Sequence, residues 1–239
     1  MRKRILTKDV EIARELEHHI NVERMREGTR LSSERELAEK FGVQRDTIRS
    51  ALEILLNKGV LTRKPRHGYF VVPRRIEFDL NNFRSMKQAI EQTGRESKAV
   101  LLSFEIISLN RKLAEDTLLP EGTLCYRIVR LRYENDLPMA LERSYLVAEH
   151  VEGLSEEDVH LKSLSSTLRK KYGIWLANSK QRITAVYATD MEAELLRVKK
   201  DEPLMRYEGL VYDRRGRLIE FFNNILLLDC AEFRIREFV

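Results

Sequence analysis

Residues 31–49, LSSERELAEKFGVQRDTIR, constrain the fold more than any other stretch of this chain. Ser33-Glu34-Arg35-Glu36 has the form of a capping box: the serine caps a helix N-terminus and the glutamate three residues on reaches back to the cap backbone. Leu37, Ala38 and Phe41 give that helix an apolar face. Gly42 breaks it, because glycine accepts the left-handed backbone that a sharp turn between helices demands. A second helix restarts near Arg45 and runs to about Asn57, with Ile48, Ala51, Leu52 and Leu55 at i, i+3, i+4 and i+7. Burial of that stripe displays Gln44, Arg45, Asp46, Arg49 and Glu53 on the other face, with Thr47 alongside. The pair is a helix-turn-helix.

The flanks extend the pattern. Residues 8–24 carry Ile12, Ala13, Leu16 and Ile20, a further helical stripe. Gly59 ends the third helix. Two β-patterned runs follow, 60–64 and 69–72, joined by Pro65-Arg66-His67-Gly68. Three helices and a basic flap make a winged helix-turn-helix over residues 1–73, and the charged stretch 74–79 reads as a linker. Residues 1–75 hold 18 Lys/Arg against 11 Asp/Glu, and the remainder 25 against 27. All the excess positive charge therefore lies in the first third, which suits a polyanion partner. Arginine's fork binds guanine O6 and N7, or a phosphate, bidentately. The plainer reading has Arg45 and Arg49 merely solvate the helix or pair with Asp46 and Glu53. The turn, the spacing and the wing together favour DNA.

The run SER, ELAEKFGV, R-x-T-I-R-x-AL, L-x-x-x-G-V-L and G-x-FV, in this order and spacing, resembles the winged helix-turn-helix of GntR-family bacterial transcription regulators. The resemblance implies that Arg35, Arg45 and Arg49 touch an operator. It also implies that the wing tip around Gly68 enters the adjacent minor groove, with Arg66 and His67 supplying positive charge. The expected DNA-binding set is Ser33, Arg35, Gln44, Arg45, Thr47, Arg49, Arg66, His67 and Gly68. Three positions depart from the family pattern: Ser32 where proline is usual, Gln44 where a capping serine is usual, and Tyr69 where a small residue follows the wing glycine.

The whole chain of 239 residues is 43% hydrophobic, which leaves ample material for a second core beyond the linker. Residues 82–93 and 111–118 read as helices, and 98–109 as a strand. Long strands at 123–134 and 138–147 surround Asn135-Asp136. Helices at 163–172 and 190–199 alternate with strands at 176–189, 204–213, 217–228 and 232–238. Cys125 and Cys230 sit in strands with no metal or disulfide spacing. There is no apolar run of membrane-spanning length and no signal-peptide pattern, so a cytoplasmic protein without membrane contact is expected.

In this second region YRIVRLRYENDLPMALERSYL, with R-x-R followed by N-D-x-P-M-A-x-E, resembles the ligand-sensing UTRA domain of the HutC subfamily of GntR regulators. That resemblance implies an α+β protein. Its C-terminal sensor would be chorismate-lyase-like, an α/β domain with an antiparallel sheet over residues 80–239. The sensor would bind small molecules, often sugar phosphates, and form a homodimer on a two-fold-symmetric double-stranded operator. The implied effector set is Arg130, Arg132, Glu142, Ser163 and Glu220. Ser165 and Leu226 stand where phosphosugar-sensing relatives carry tyrosines, so loss of two hydroxyl-bearing rings is expected to alter the pocket. Either a sugar phosphate or a carboxylate fits the arginines.

Alternation in the first long strand puts Arg130 and Arg132 on one face with Leu124, Tyr126 and Ile128. A two-residue turn at Asn135-Asp136 would place Glu142 on the opposite face, whereas a longer loop or a bulge would set it across from Arg130. The longer connection is expected, with a plain ladder of cross-strand ion pairs as the alternative to an anion cradle. No catalytic residue, metal ligand or cofactor is expected: His18, His19, His67, His150 and His160 form no metal or triad spacing, and no phosphate-cradling glycine motif or nucleophile elbow is present. Two rival readings remain, a chorismate-lyase-like enzyme and a ligand-independent DNA-binding protein.

Overall fold

A computed structural model of the chain describes residues 7–23, 25, 28–72, 75–79, 85–134, 137–160 and 163–234. The chain divides into two compact units, Met1–Arg74 and Arg75–Val239. The boundary residue expected at Pro73, the Asn135-Asp136 turn, and the expected strand beyond residue 234 lie outside the described residues.

In the first unit α1 (Lys8–Val22), α2 (Glu34–Phe41) and α3 (Arg45–Asn57) precede a hairpin of β1 (Leu61–Lys64) and β2 (Gly68–Val71). Each element forms for a local reason. Ser33 accepts from the Glu36 N–H while the Glu36 carboxylate accepts from the Ser33 N–H at 2.7 Å, so two orphan amides at the start of α2 are satisfied. Gly42 closes α2 at φ 62°, left-handed as expected. Gln44 precedes α3 in extended geometry without a side-chain cap bond. Ile12, Leu16, Ile20, Leu37, Ile48, Leu52, Leu55, Tyr69 and Val71 share one core. The hairpin pairs Leu61 with Val71 and Lys64 with Gly68. Leu31 N–H donates to the Tyr69 carbonyl, and Arg30 bridges Phe70, adding a third strip to the wing.

The second unit is an antiparallel sheet of six strands in the order β4-β5-β6-β9-β8-β7. The strands are β4 (Ser97–Ser108), β5 (Leu124–Glu134), β6 (Leu137–Val147), β7 (Leu176–Tyr187), β8 (Pro203–Asp213) and β9 (Leu218–Leu227). Helices α4 (Met86–Glu91), α5 (Arg111–Thr117), α6 (Glu156–His160), α7 (Leu164–Tyr172) and α8 (Asp190–Leu196) connect or flank them. Helix α6, five residues long, is too short to leave a periodic signature in sequence.

The expected linker over 74–79 is corrected. Residues Ile76–Asp79 form β3, paired in parallel with β10 (Ala231–Arg234). Ile76 and Phe78 alternate with Glu77 and are buried, and the Phe78 ring stacks on Phe233 at 5.3 Å. The charge of this stretch obscured its period-two pattern, and its partner strand lies some 150 residues away in sequence, beyond the reach of local propensity.

Register in the β5–β6 hairpin sets the site. Glu134 pairs with Leu137 and Tyr133 with Pro138, but Arg132 pairs with Ala140, so Met139 is an extra residue on β6. This bulge shifts β6 by one and brings Glu142 directly across from Arg130.

Candidate functional site

Two clusters of arginines stand out, one in each unit. In the first unit Arg35, Gln44, Arg45 and Thr47 border one shallow hollow between α2 and α3. Arg45 is exposed, and among the described residues it has no carboxylate partner. Arg35 is exposed too and lies 3.8 Å from Glu39, an ion pair too solvated to hold it. Arg49 differs. Its Nη2 donates to Glu34 Oε2 at 3.0 Å and its Nη1 to Asp46 at 3.4 Å, while the Tyr69 hydroxyl donates to Glu34 Oε1 at 2.9 Å. The hydrogen bond from Arg49 holds the Glu34 carboxyl below its ordinary range despite partial burial, with the Tyr69 bond adding to it. Burial, then the Glu34 contact, pushes the Tyr69 phenol up.

Tyr69, a departure from the family pattern, is thus a buried brace from the wing to Glu34 of α2, which in turn holds Arg49 of α3. The expected contact residues Ser33, Arg35, Gln44, Arg45, Thr47 and Arg49 all sit at the two helix N-termini, and Arg66, His67 and Gly68 at the exposed wing turn. Arg66 adopts a positive φ of 64°, next to Gly68 at 96°. Arg30, Arg63 and Lys64 also belong to the wing. Arg30 Nε would lie 3.6 Å from a Cβ built on Gly68, and Arg63 and Lys64 lie over the Tyr69 and Phe70 rings. Sequence reasoning missed Arg30 because only the bridge to Phe70 carries it to the wing.

In the second unit Arg130, Arg132, Glu142, Ser163 and Glu220 all line one cavity of about 600 Å³. Arg132 binds Glu142 through two parallel bonds, Nε to Oε1 at 3.0 Å and Nη2 to Oε2 at 2.9 Å, and donates to Ser97 at 3.2 Å. Arg130 Nη2 reaches the same Glu142 Oε2 at 3.0 Å, and its buried Nε has no partner among the described residues. All three side chains are nearly inaccessible, with exposures of 6%, 4% and 4% for Arg130, Arg132 and Glu142. Burial pushes the Glu142 carboxyl up, but the charges of Arg132 and Arg130 outweigh it and hold the pKa below the usual value. Glu220 on β9 behaves in reverse: burial raises it, the Ser144 bond and Arg130 offset this only in part, and Glu142 raises it further. Two carboxyls in one cavity, Glu142 buried and Glu220 partly so, are therefore held at different protonation tendencies.

The Ser163 hydroxyl makes no cap bond to α7 and lies 2.7 Å from the Ser165 hydroxyl. Leu226 is not at the cavity. It is fully buried in the core that holds Ile76, Met139 and Ala140, so no ring hydroxyl enters the cavity from this position. A hydroxyl-bearing ring lines the cavity from β8 instead: Tyr207, whose hydroxyl donates to Gln181 at 2.9 Å. Ser144, Arg169, Trp175, Gln181, Tyr207 and Asn224 were all missed in sequence. Alternation along β9 puts Asn224 on the face of Glu220, but only strand register, which pairs Tyr207 with Asn224 and with Ile183, could have placed Tyr207 there.

Comparison with known proteins accounts for both units. Residues 8–71 match the gntR family of bacterial regulatory proteins, and residues 92–229 match the UTRA domain. The HTH-type transcriptional repressor NagR of Bacillus subtilis is 29% identical over 195 residues, covering 82% of this chain and 80% of the relative. The mannosyl-D-glycerate transport/metabolism system repressor MngR of Escherichia coli is 23% identical over 225 residues, covering 94% and 93%. The crystal structure of PhnF from Mycobacterium smegmatis superimposes with a TM-score of 0.68 at 25% identity, covering 95% of this chain and 99% of that one. This chain belongs to the GntR family, in its UTRA-bearing HutC branch, and is a DNA-binding transcription regulator.

Proposed function

We propose that the protein is a metabolite-responsive repressor. A small anionic effector, a sugar phosphate in the favoured case, binds in the cavity of the C-terminal unit and changes operator affinity. The observation that carries this reading is the convergence of Arg130, Arg132, Glu142, Ser163 and Glu220 on one cavity in a unit separate from the winged helix. The protein acts as a cytoplasmic homodimer without cofactor, metal or turnover, and two recognition helices address a two-fold-symmetric operator. Arg45 and Arg35 supply the contacts to DNA, and Arg66 and His67 the wing-tip charge.

Chain connectivity supports a route from effector to operator. Glu77, Phe78 and Asp79 of β3 line the cavity, and β3 is the first strand after the DNA-binding unit. A ligand that shifts β3 therefore acts on the segment that leads into the winged helix. A coupling of about 1–3 kcal/mol, or roughly 5–150-fold in operator affinity, suffices for a switch. The test is a thermal-shift scan of the full chain against sugar phosphates, their unphosphorylated sugars and small carboxylates. A ligand at 100 times its Kd stabilises by about 2.7 kcal/mol. The expected result is a phosphorylated sugar that raises the melting temperature and weakens operator binding. Operator affinity indifferent to every ligand would favour the ligand-independent reading, and conversion of chorismate to a phenolic product would favour the enzyme.

A further inference from the structure

We propose that the cavity mouth is a second anion subsite, formed by Arg169 and Arg214 around Trp175, and that the effector is a two-ended anion such as a sugar bisphosphate or a phosphorylated sugar acid. This deepens the effector reading above and rests on it.

The argument starts from charge. At the cavity floor Glu142 already accepts from both Arg130 and Arg132, so one of the two positive charges is cancelled by the protein itself. What remains there, beside a Glu220 carboxyl that burial holds toward its neutral form, suits a single anionic group. The mouth is built differently. Ser165, Ser166 and Arg169 all line the cavity from α7, at the three- and four-residue spacings that share a helix face. The Arg169 guanidinium lies 5.5 Å from the centre of the Trp175 ring, and Trp175 lines the same cavity while remaining 49% exposed.

The Arg214 guanidinium lies 4.9 Å from the same ring, and its backbone N–H donates to the Trp175 carbonyl at 3.2 Å. An indole face can brace cations electrostatically, but it cannot neutralise them. Among the described residues neither Arg169 nor Arg214 has a carboxylate within ion-pair distance. Some other exposed arginines of this unit do, Arg111 with Glu115 and Arg217 with Asp213, whereas Arg75 and Arg215 do not but lie outside the cavity lining. A surface stack alone would account for the packing of Arg214. It does not account for an uncompensated Arg169 facing the same space as Ser165 and Arg130. Arg169 lines the cavity together with Arg130 and Arg132, and Arg214, outside that lining, packs on the same indole. Two cations without a counter-ion among the described residues make a preformed place for an anion, on the one cavity that also holds the floor arginines.

Trp175 is the only tryptophan of the chain, so its emission reports on the mouth alone. The probes are a hexose 1,6-bisphosphate, the matching 6-phosphate and inorganic phosphate, each titrated into the full chain with melting temperature and tryptophan emission as readouts. The bisphosphate is expected to act at about tenfold lower concentration than the 6-phosphate and to change Trp175 emission. Arg169→Ala, with Arg169→Gln as a second variant, removes that preference and leaves the two sugars nearly equal. Arg130→Ala weakens both. A preference retained without Arg169, equal binding of the two sugars to the wild type, or emission unmoved at saturation overturns the mouth subsite alone. Inorganic phosphate reproducing the full shift overturns it as well. A melting temperature that no phosphorylated probe moves, or that moves equally in Arg130→Ala, overturns the effector reading and the subsite with it.

Discussion

Arginine serves opposite electrostatic situations in the two units of this protein. On α3 Arg45 stands in solvent with no carboxylate partner among the described residues, its charge left for an external polyanion. In the cavity Arg130 and Arg132 are almost fully buried and share Glu142. The difference follows from dielectric. In water an unpaired guanidinium costs little, whereas in the interior it must have a partner supplied by the fold. Arg49 lies between these cases, half-exposed and bound to Glu34 under the Tyr69 hydroxyl. Burial and partner therefore go together for Arg130 and Arg132, whereas exposed Arg45 needs no partner within the fold.

The largest expected effect tests the buried side. Glu142→Ala strands two guanidiniums in the sheet and should destabilise the C-terminal unit by about 3–5 kcal/mol, read by denaturant unfolding. A loss below about 1 kcal/mol would mean that water reaches the pair and the contrast is false. Arg45→Ala tests the exposed side. It should weaken binding to a selected operator by about 1–3 kcal/mol and relax base preference at one position, with the melting temperature unchanged. Full affinity in that variant would remove Arg45 from the interface. Next comes Tyr69→Phe, which removes one hydrogen bond to a carboxylate and should cost about 1 kcal/mol of stability while affecting operator affinity less than Arg45→Ala.

The smallest effect is one of sign. Folding raises the Glu220 carboxyl, so the folded protein holds that proton more tightly than the unfolded chain. The resulting stabilisation is full below the ordinary carboxylate range and is lost as pH rises through the raised value. Glu220→Gln lacks it, and should gain on the wild type in melting temperature as pH rises from the ordinary carboxylate range through the raised value. A constant difference across that range would show that Glu220 does not titrate as the burial argument requires.

The winged helix was legible in sequence almost residue by residue. The Ser33–Glu36 capping box, the break at Gly42 and the stripe of Ile48, Ala51, Leu52 and Leu55 are all local devices, acting within four residues. The cavity was legible only at its floor. Arg130, Arg132 and Glu142 lie on one hairpin, and the expectation of a longer connection or a bulge is met by the extra residue Met139. Its other walls come from β3, α4, α7, β7, β8 and β9, and no local pattern links Glu77, Arg169, Trp175 and Tyr207. The misreading of Ile76–Asp79 as linker has the same cause, because a strand whose partner is remote shows only a short alternation that charge easily hides.

By itself the sequence determined the helices, the turn, the charge asymmetry and the identity of the arginines, because caps, glycine turns and amphipathic stripes are short-range physics. Only the tertiary structure decided which arginines are already neutralised, that Leu226 is core while Tyr207 faces the cavity, and that the first strand after the DNA-binding unit walls the candidate effector site. Those outcomes depend on strand register and on burial. A one-residue shift reverses the face of every side chain, and the surrounding dielectric determines whether a charge must be paired.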